Sequence, residues 1–109
     1  MPNQRTDLVQ GTLDMLILKT LALETMHGYG ISLRIEQISG GVFQVNPGSL
    51  LPALSRLERQ GLISARWQSS DNNRRAKYYD LTEKGRAQFK TEKRSWERQI
   101  NAIAKILEA

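Results

Sequence analysis

The sequence predicts a mainly α-helical chain carrying one small β hairpin, and three observations support that prediction. Apolar residues recur at helical spacing in four separate stretches. Two aromatic-rich β-type runs, 63–68 and 76–81, flank the turn-rich segment SSDNNRR. Helix-stopping glycines (Gly40, Gly41, Gly61) and helix-starting residues (Asn46, Thr82) mark the joints.

A first helix is predicted over residues 7–25. Leu13, Leu16, Ile17 and Leu21 share one face, while Val9, Met15, Leu18, Ala22 and Leu23 cover much of the rest. A helix apolar nearly all round must be buried on more than one side. A chain this small is expected to cover one side, so Met15 and Leu18 are assigned to a contact with a second subunit. His27-Gly28-Tyr29-Gly30 interrupts the pattern. A second helix follows with Ile31, Ile35 and Ile38 inward and Arg34, Glu36 and Gln37 outward, ending at Gly40-Gly41. Val42, Phe43 and Val45 alternate with Gln44, which fits a short strand or an extended linker.

The third helix starts either with Asn46 as N-cap and Pro47 at its first position, or with Ser49 as N-cap and Pro52 at its third. Leu50, Leu54 and Leu57 point inward, and Ser49, Ala53, Arg56 and Gln60 outward. Gly61 closes it. The hairpin comes next. Thr82 then caps a fourth helix reaching residue 107, with Glu83 in its first turn. From Trp96, the residues Ile100, Ile103 and Leu107 follow at spacings of four, three and four, a coiled-coil seam that no later segment can cover. These parts in this order make a winged helix-turn-helix followed by a C-terminal dimerisation helix. Residues 1–81 form the first region and 82–109 the second, within one compact domain.

The chain has 109 residues, 16 lysines and arginines against 11 acids, and a net charge of +5, which favours a polyanionic partner. It has no cysteine and one histidine, so no disulfide framework and no thiolate or His-rich metal site is expected. The opening MPNQRTDLVQG has no apolar run behind its charge, and residues 13–23 carry Asp14 and Lys19. Neither a secretory leader nor a membrane span is therefore expected, and the predicted location is cytoplasmic. No nucleophile or carboxylate stands in a recognisable arrangement with His27, and Gly28-Tyr29-Gly30 lacks the lysine of a phosphate loop. No enzyme activity and no cofactor are predicted.

Three places suggest chemistry. The outward face of the third helix is small or cationic, as a helix entering a major groove requires, although a solvated face reads the same way in isolation. The hairpin tip, which also carries Asn73, sets Arg74, Arg75 and Lys77 against the single acid Asp71. A tip of that kind can lie along phosphates or enter a minor groove. Trp96, between Arg94 and Arg98, can pack a dimer, stack a flat ligand, or fold back onto the first helix. Trp67, in the first strand of the wing, is read as core.

Four segments together make the chain resemble the PadR-like bacterial transcriptional regulators: GTLDMLILKTLA, HGYGISLRI, VNPGSLLPALSRLERQGLI and RRAKYYDLTEKG. The resemblance covers residues 8–107. It implies a homodimer in which the third helix enters the major groove, the wing touches the minor groove or backbone, and the fourth helix with the first builds the dimer. It places Ser49, Leu50 and Arg56 on the DNA-reading surface and Arg74, Arg75 and Lys77 on the wing. It places Trp96 where multidrug-sensing members carry an aromatic residue at a central dimer cavity. One departure stands out, because the family pattern most often has tyrosine where this chain has Leu51. A lost phosphate hydrogen bond there costs about 0.5–1.5 kcal/mol.

The resulting expectation is a homodimeric repressor that reads a pseudo-palindromic operator in double-stranded DNA and is released by a small aromatic or cationic effector. Ser49, Leu50, Ala53, Arg56, Asn73, Arg74, Arg75 and Lys77 are the predicted DNA contacts. Met15, Leu18, Phe89, Trp96, Ile100, Ile103 and Leu107 are the predicted dimer contacts. The alternative is a winged-helix dimerisation or protein-interaction module without sequence-specific DNA binding.

Overall fold

A computed structural model describes residues 12–69 and 72–109. The predicted start of the first helix, Val9 included, and Asp71 at the hairpin tip lie outside these residues. The described elements run α1 (Thr12–Leu23), β1 (Met26–His27), α2 (Gly28–Ile38), α3 (Pro47–Arg59), β2 (Ile63–Ser69), β3 (Arg75–Leu81) and α4 (Glu83–Glu108). The sheet is antiparallel in the order β1-β3-β2. Ile63 pairs with Leu81 at its base and Ser69 with Arg75 near its tip. The architecture is a winged helix, as predicted. Strand β1 was not foreseen: Met26 and His27 pair with Tyr79 and Tyr78 in the segment read as a mere interruption. Residues 42–45 form no regular strand: Val42 bends, Phe43 makes an isolated β-bridge, and the rest is a linker into α3.

Helix α1 is the axis of the domain. Leu13, Met15, Ile17, Leu18, Thr20 and Leu21 are buried on all sides of it, because α2, α3, α4 and β3 each pack against it. This corrects the expectation that an all-round apolar helix calls for a second subunit. Leu18 is 0% exposed and Met15 is buried, and this chain's own elements cover both. The buried Thr20 hydroxyl donates to the Leu16 carbonyl at 2.7 Å, so it adds no unpaired group to the core. In α2, Ile31 and Ile35 join the core, but Ile38 is 65% exposed, since the helix ends before that last turn reaches another element.

The α3–β2 corner positions everything downstream. Gly61 adopts a φ of 76°, the left-handed conformation that ends a helix, and the Leu62 N–H returns to the Leu57 carbonyl at 3.0 Å. Thr82 caps α4 by accepting from the Gly85 N–H at 2.9 Å, and its own N–H donates to the Leu62 carbonyl at 3.2 Å. Gly85 is buried directly against that carbonyl; a Cβ there would lie 2.0 Å from the Leu62 oxygen. The start of α4 is thus seated on backbone. Its later half projects beyond the core. The radius of gyration is 15.3 Å and the longest extent 55 Å, where a compact chain of this size has a radius of about 13 Å.

Candidate nucleic-acid interface

Asn46 caps α3. Its extended backbone turns the chain into the helix, its side-chain oxygen accepts from the Ser49 N–H at 2.9 Å, and Pro47 takes the first position. Of the two predicted starts, this is the one adopted. Pro52 therefore stands at the sixth position, on the exposed side, where it has no N–H to give the Gly48 carbonyl.

The outward face of α3 differs from the predicted one. Ala53 is 2% exposed and Leu50 is 3% exposed, so both belong to the core with Leu54 and Leu57. The exposed side carries Gly48, Leu51, Pro52, Ser55 and Arg59, with Ser49 at its edge. That is a turn of roughly 100° about the helix axis, one residue's worth. Alanine suits either face, so Ala53 declares no side by itself, and only the family resemblance puts Leu50 outward. The signal that could have found Ser55 and Arg59 is the buried trio Leu50, Leu54 and Leu57, whose opposite side they occupy.

Arg56 is half-buried and turned toward α1, where its guanidinium meets Asp14 at 2.5 Å. Lys77 reaches from the wing to α3, with its ammonium 3.2 Å from Glu58 and 5.8 Å from the centre of the Tyr79 ring. Two of the four predicted DNA cations, Arg56 and Lys77, are therefore engaged within the domain. Arg74 and Arg75 are exposed at the wing tip, and Asn73 makes its bend with a φ of 63°, which asparagine tolerates. Arg75 lies over the Trp67 ring, 5.4 Å from its centre. Trp67 itself is exposed, which corrects its reading as core. A cation held over an indole face has fewer orientations to lose on binding. At the base of the wing, Asp80 accepts from both Thr25 and Arg66, tying β2 and β3 to the end of α1.

His27 is the N-cap of α2. Its Nδ1 accepts from the Gly30 N–H at 3.0 Å, and its ring stands edge-on to Tyr78. Tyr29 projects from the next turn and is exposed. Between the start of α2, the start of α3 and the wing lies an open groove of about 740 Å³, lined by His27, Tyr29, Leu51, Arg74, Arg75 and Lys77 among others. A phenol and two exposed arginines thus line one concave surface. Such a surface suits an extended anion, with the α3 face set to reach past it.

On α4 the predicted dimer residues divide. Phe89 is half-buried against the core of its own chain. Trp96, Ile100, Ile103 and Leu107 are exposed, with Ile106 beside them. Trp96 is 42% exposed and does not fold back into the core. Among the described residues no helix is long and apolar enough to cross a membrane.

The chain matches the sequence model of the transcriptional regulator PadR-like family over residues 17–91. A transcriptional regulator from Clostridium thermocellum has a similar structure, with a TM-score of 0.81 and 28% identity over 88% of this chain and 93% of that one. A PadR-like transcriptional regulator from Bacillus cereus aligns with a TM-score of 0.79 and 28% identity, covering 92% of this chain and 95% of that one. In sequence, the transcriptional regulator YqjI of Escherichia coli is 32% identical over 99 residues, 91% of this chain but 44% of YqjI. This chain therefore spans less than half of that regulator's length.

Proposed function

The chain belongs to the PadR-like family, whose members are transcriptional regulators and not enzymes, and from that premise we propose that it is a homodimeric repressor reading a pseudo-palindromic operator. The observation that carries this reading is the convergence of the exposed start of α3 and the Arg74–Arg75 wing on one concave face. Ser49, Ser55 and Arg59 enter the major groove, and Asn73, Arg74 and Arg75 follow the phosphates. Arg56 and Lys77 serve first by fixing α3 against α1 and the wing. The Arg56 and Lys77 pairs are partly exposed, so the net stabilisation of each is small, about 0–1 kcal/mol.

Residues 1–81 act as the DNA-binding region and residues 82–109, with α4, as the dimerisation region. The stripe Trp96, Ile100, Ile103 and Leu107 has coiled-coil spacing and is uncovered in the single chain. Burying one such side chain contributes about 1.5–3 kcal/mol, so a pair of stripes suffices for a dimer after the cost of association. Two α3 helices then address half-sites about one helical turn of DNA apart. Trp96 faces the same dimer axis, where a flat aromatic or cationic effector would stack.

Fluorescence anisotropy on the DNA directly upstream of the protein's own gene, against a scrambled duplex at low and moderate salt, tests this reading. The expected result is a preference for the upstream fragment that survives moderate salt. Equal binding to both fragments, erased by salt, would refute an autoregulating repressor.

A further inference from the structure

Leu51 is the anomaly of α3. The other three leucines of this helix are buried, whereas Leu51 is 56% exposed. It stands at the fifth position, in the amino-terminal half that meets base edges when such a helix enters a groove. It lines both the wing groove, beside Arg74 and Arg75, and a smaller cleft of about 340 Å³ shared with Tyr29 and Leu33. The surrounding cations would draw phosphates to either side of it. Leucine itself can neither donate to a phosphate nor accept from a base. Placed against a phosphate it would only remove water from a charge, which is unfavourable.

We propose that Leu51 is a specificity residue, reading a thymine through the C5-methyl group in the major groove. This rests on the DNA-binding reading above and gives it a base preference. The thymine methyl is the one apolar group that base edges present there, and an exposed aliphatic side chain is its natural complement. The neighbours favour the approach. Gly48 and Ser55 are small and exposed on the same face, so the backbone of α3 can come close to the groove floor. Tyr29, Arg74 and Arg75 supply polar and charged groups for phosphate contacts, so position 51 is not needed for that purpose.

The test uses the full chain and a random-sequence duplex pool, from which the wild-type protein enriches a preferred duplex. Each thymine of that duplex is then replaced in turn by deoxyuridine, which pairs identically and lacks only the methyl. The expected result is one position per half-site where the replacement weakens binding about fourfold, the equivalent of exposing one buried carbon group. Leu51→Ala should lose that sensitivity while keeping its circular-dichroism spectrum, and Leu51→Met should retain it. An enriched duplex with no methyl-sensitive position, or one whose sensitivity survives Leu51→Ala, would overturn the Leu51 contact alone. If no duplex is enriched, sequence-specific binding fails and the Leu51 contact with it.

Discussion

Replacing Gly85 with alanine should destabilise this protein, although the same change in an ordinary helix stabilises it. In a free helix, Gly→Ala gains about 1 kcal/mol from backbone entropy and propensity. Here the new Cβ would stand 2.0 Å from the Leu62 carbonyl oxygen, 2.9 Å from its carbon and 2.7 Å from Leu81 Cδ1. The Leu81 side chain can swing away. The carbonyl cannot, because it already accepts from the Thr82 N–H at 3.2 Å. Carbon–oxygen contacts settle near about 3.3 Å, so α4 must lift by roughly 1 Å and strain its own cap. Overpacking against a fixed group costs about 1–3 kcal/mol, and rigid backbone places this case at the upper end. The expected net loss is about 2 kcal/mol after the propensity gain, or a fall in melting temperature of roughly 8–16 °C. Urea unfolding and thermal melts followed by circular dichroism measure it, at one protein concentration because association shifts the midpoint. An unchanged or raised midpoint would refute the reasoning, since α4 would then not be seated on the Leu62 carbonyl.

Three further perturbations test other parts of the molecule. Arg74→Ala with Arg75→Ala should weaken binding to all DNA sequences and flatten the salt dependence by roughly 0.9 per lost phosphate contact; an unchanged slope removes the wing from the interface. Ile100→Asp should yield monomers in sedimentation, while an unchanged dimer would mean that the α4 stripe is not the seam. Burial pushes the Tyr79 hydroxyl above its usual 10.0, with nearby Lys77 opposing and Glu58 adding to the shift. The unfolded chain therefore loses this proton first, so stability is full below that value and falls as pH rises through the folded one. Tyr79→Phe should make the decline in urea midpoint above about pH 10 shallower than in the wild type; parallel curves would exclude Tyr79 as a source of it.

What the sequence revealed and what it hid follow one physical line. Caps and stops are local, so Asn46, Gly61 and Thr82 were each legible from a few neighbouring residues and hold their predicted roles. The hairpin was legible because β-type runs and a turn segment sit side by side. Strand β1 was not, since two residues carry no period and pair with a strand some fifty positions away. The partners of α1 were hidden for the same reason. Periodicity says that a helix is apolar all round; it does not say how many elements of the same chain surround it. The face of α3 turned on Ala53, whose side chain is too small to declare a preference. Arg56 and Lys77 looked like free cations because Asp14 and Glu58, which hold them, lie 42 and 19 residues away.

The seat of α4 also has a mechanical meaning. From Gly85 to its end the helix runs about 35 Å, pinned at one end against a carbonyl and bare at the other. It is a lever whose fulcrum lies beside α3 and the wing. A tilt of about 5° at the fulcrum sweeps the far end through roughly 3 Å over that length, close to the spacing of successive base pairs. Through Glu58 and Lys77, α3 and the wing are coupled to each other. In the proposed dimer, small changes in how two such levers cross would alter the distance between the two α3 helices, while each domain stays folded as it is.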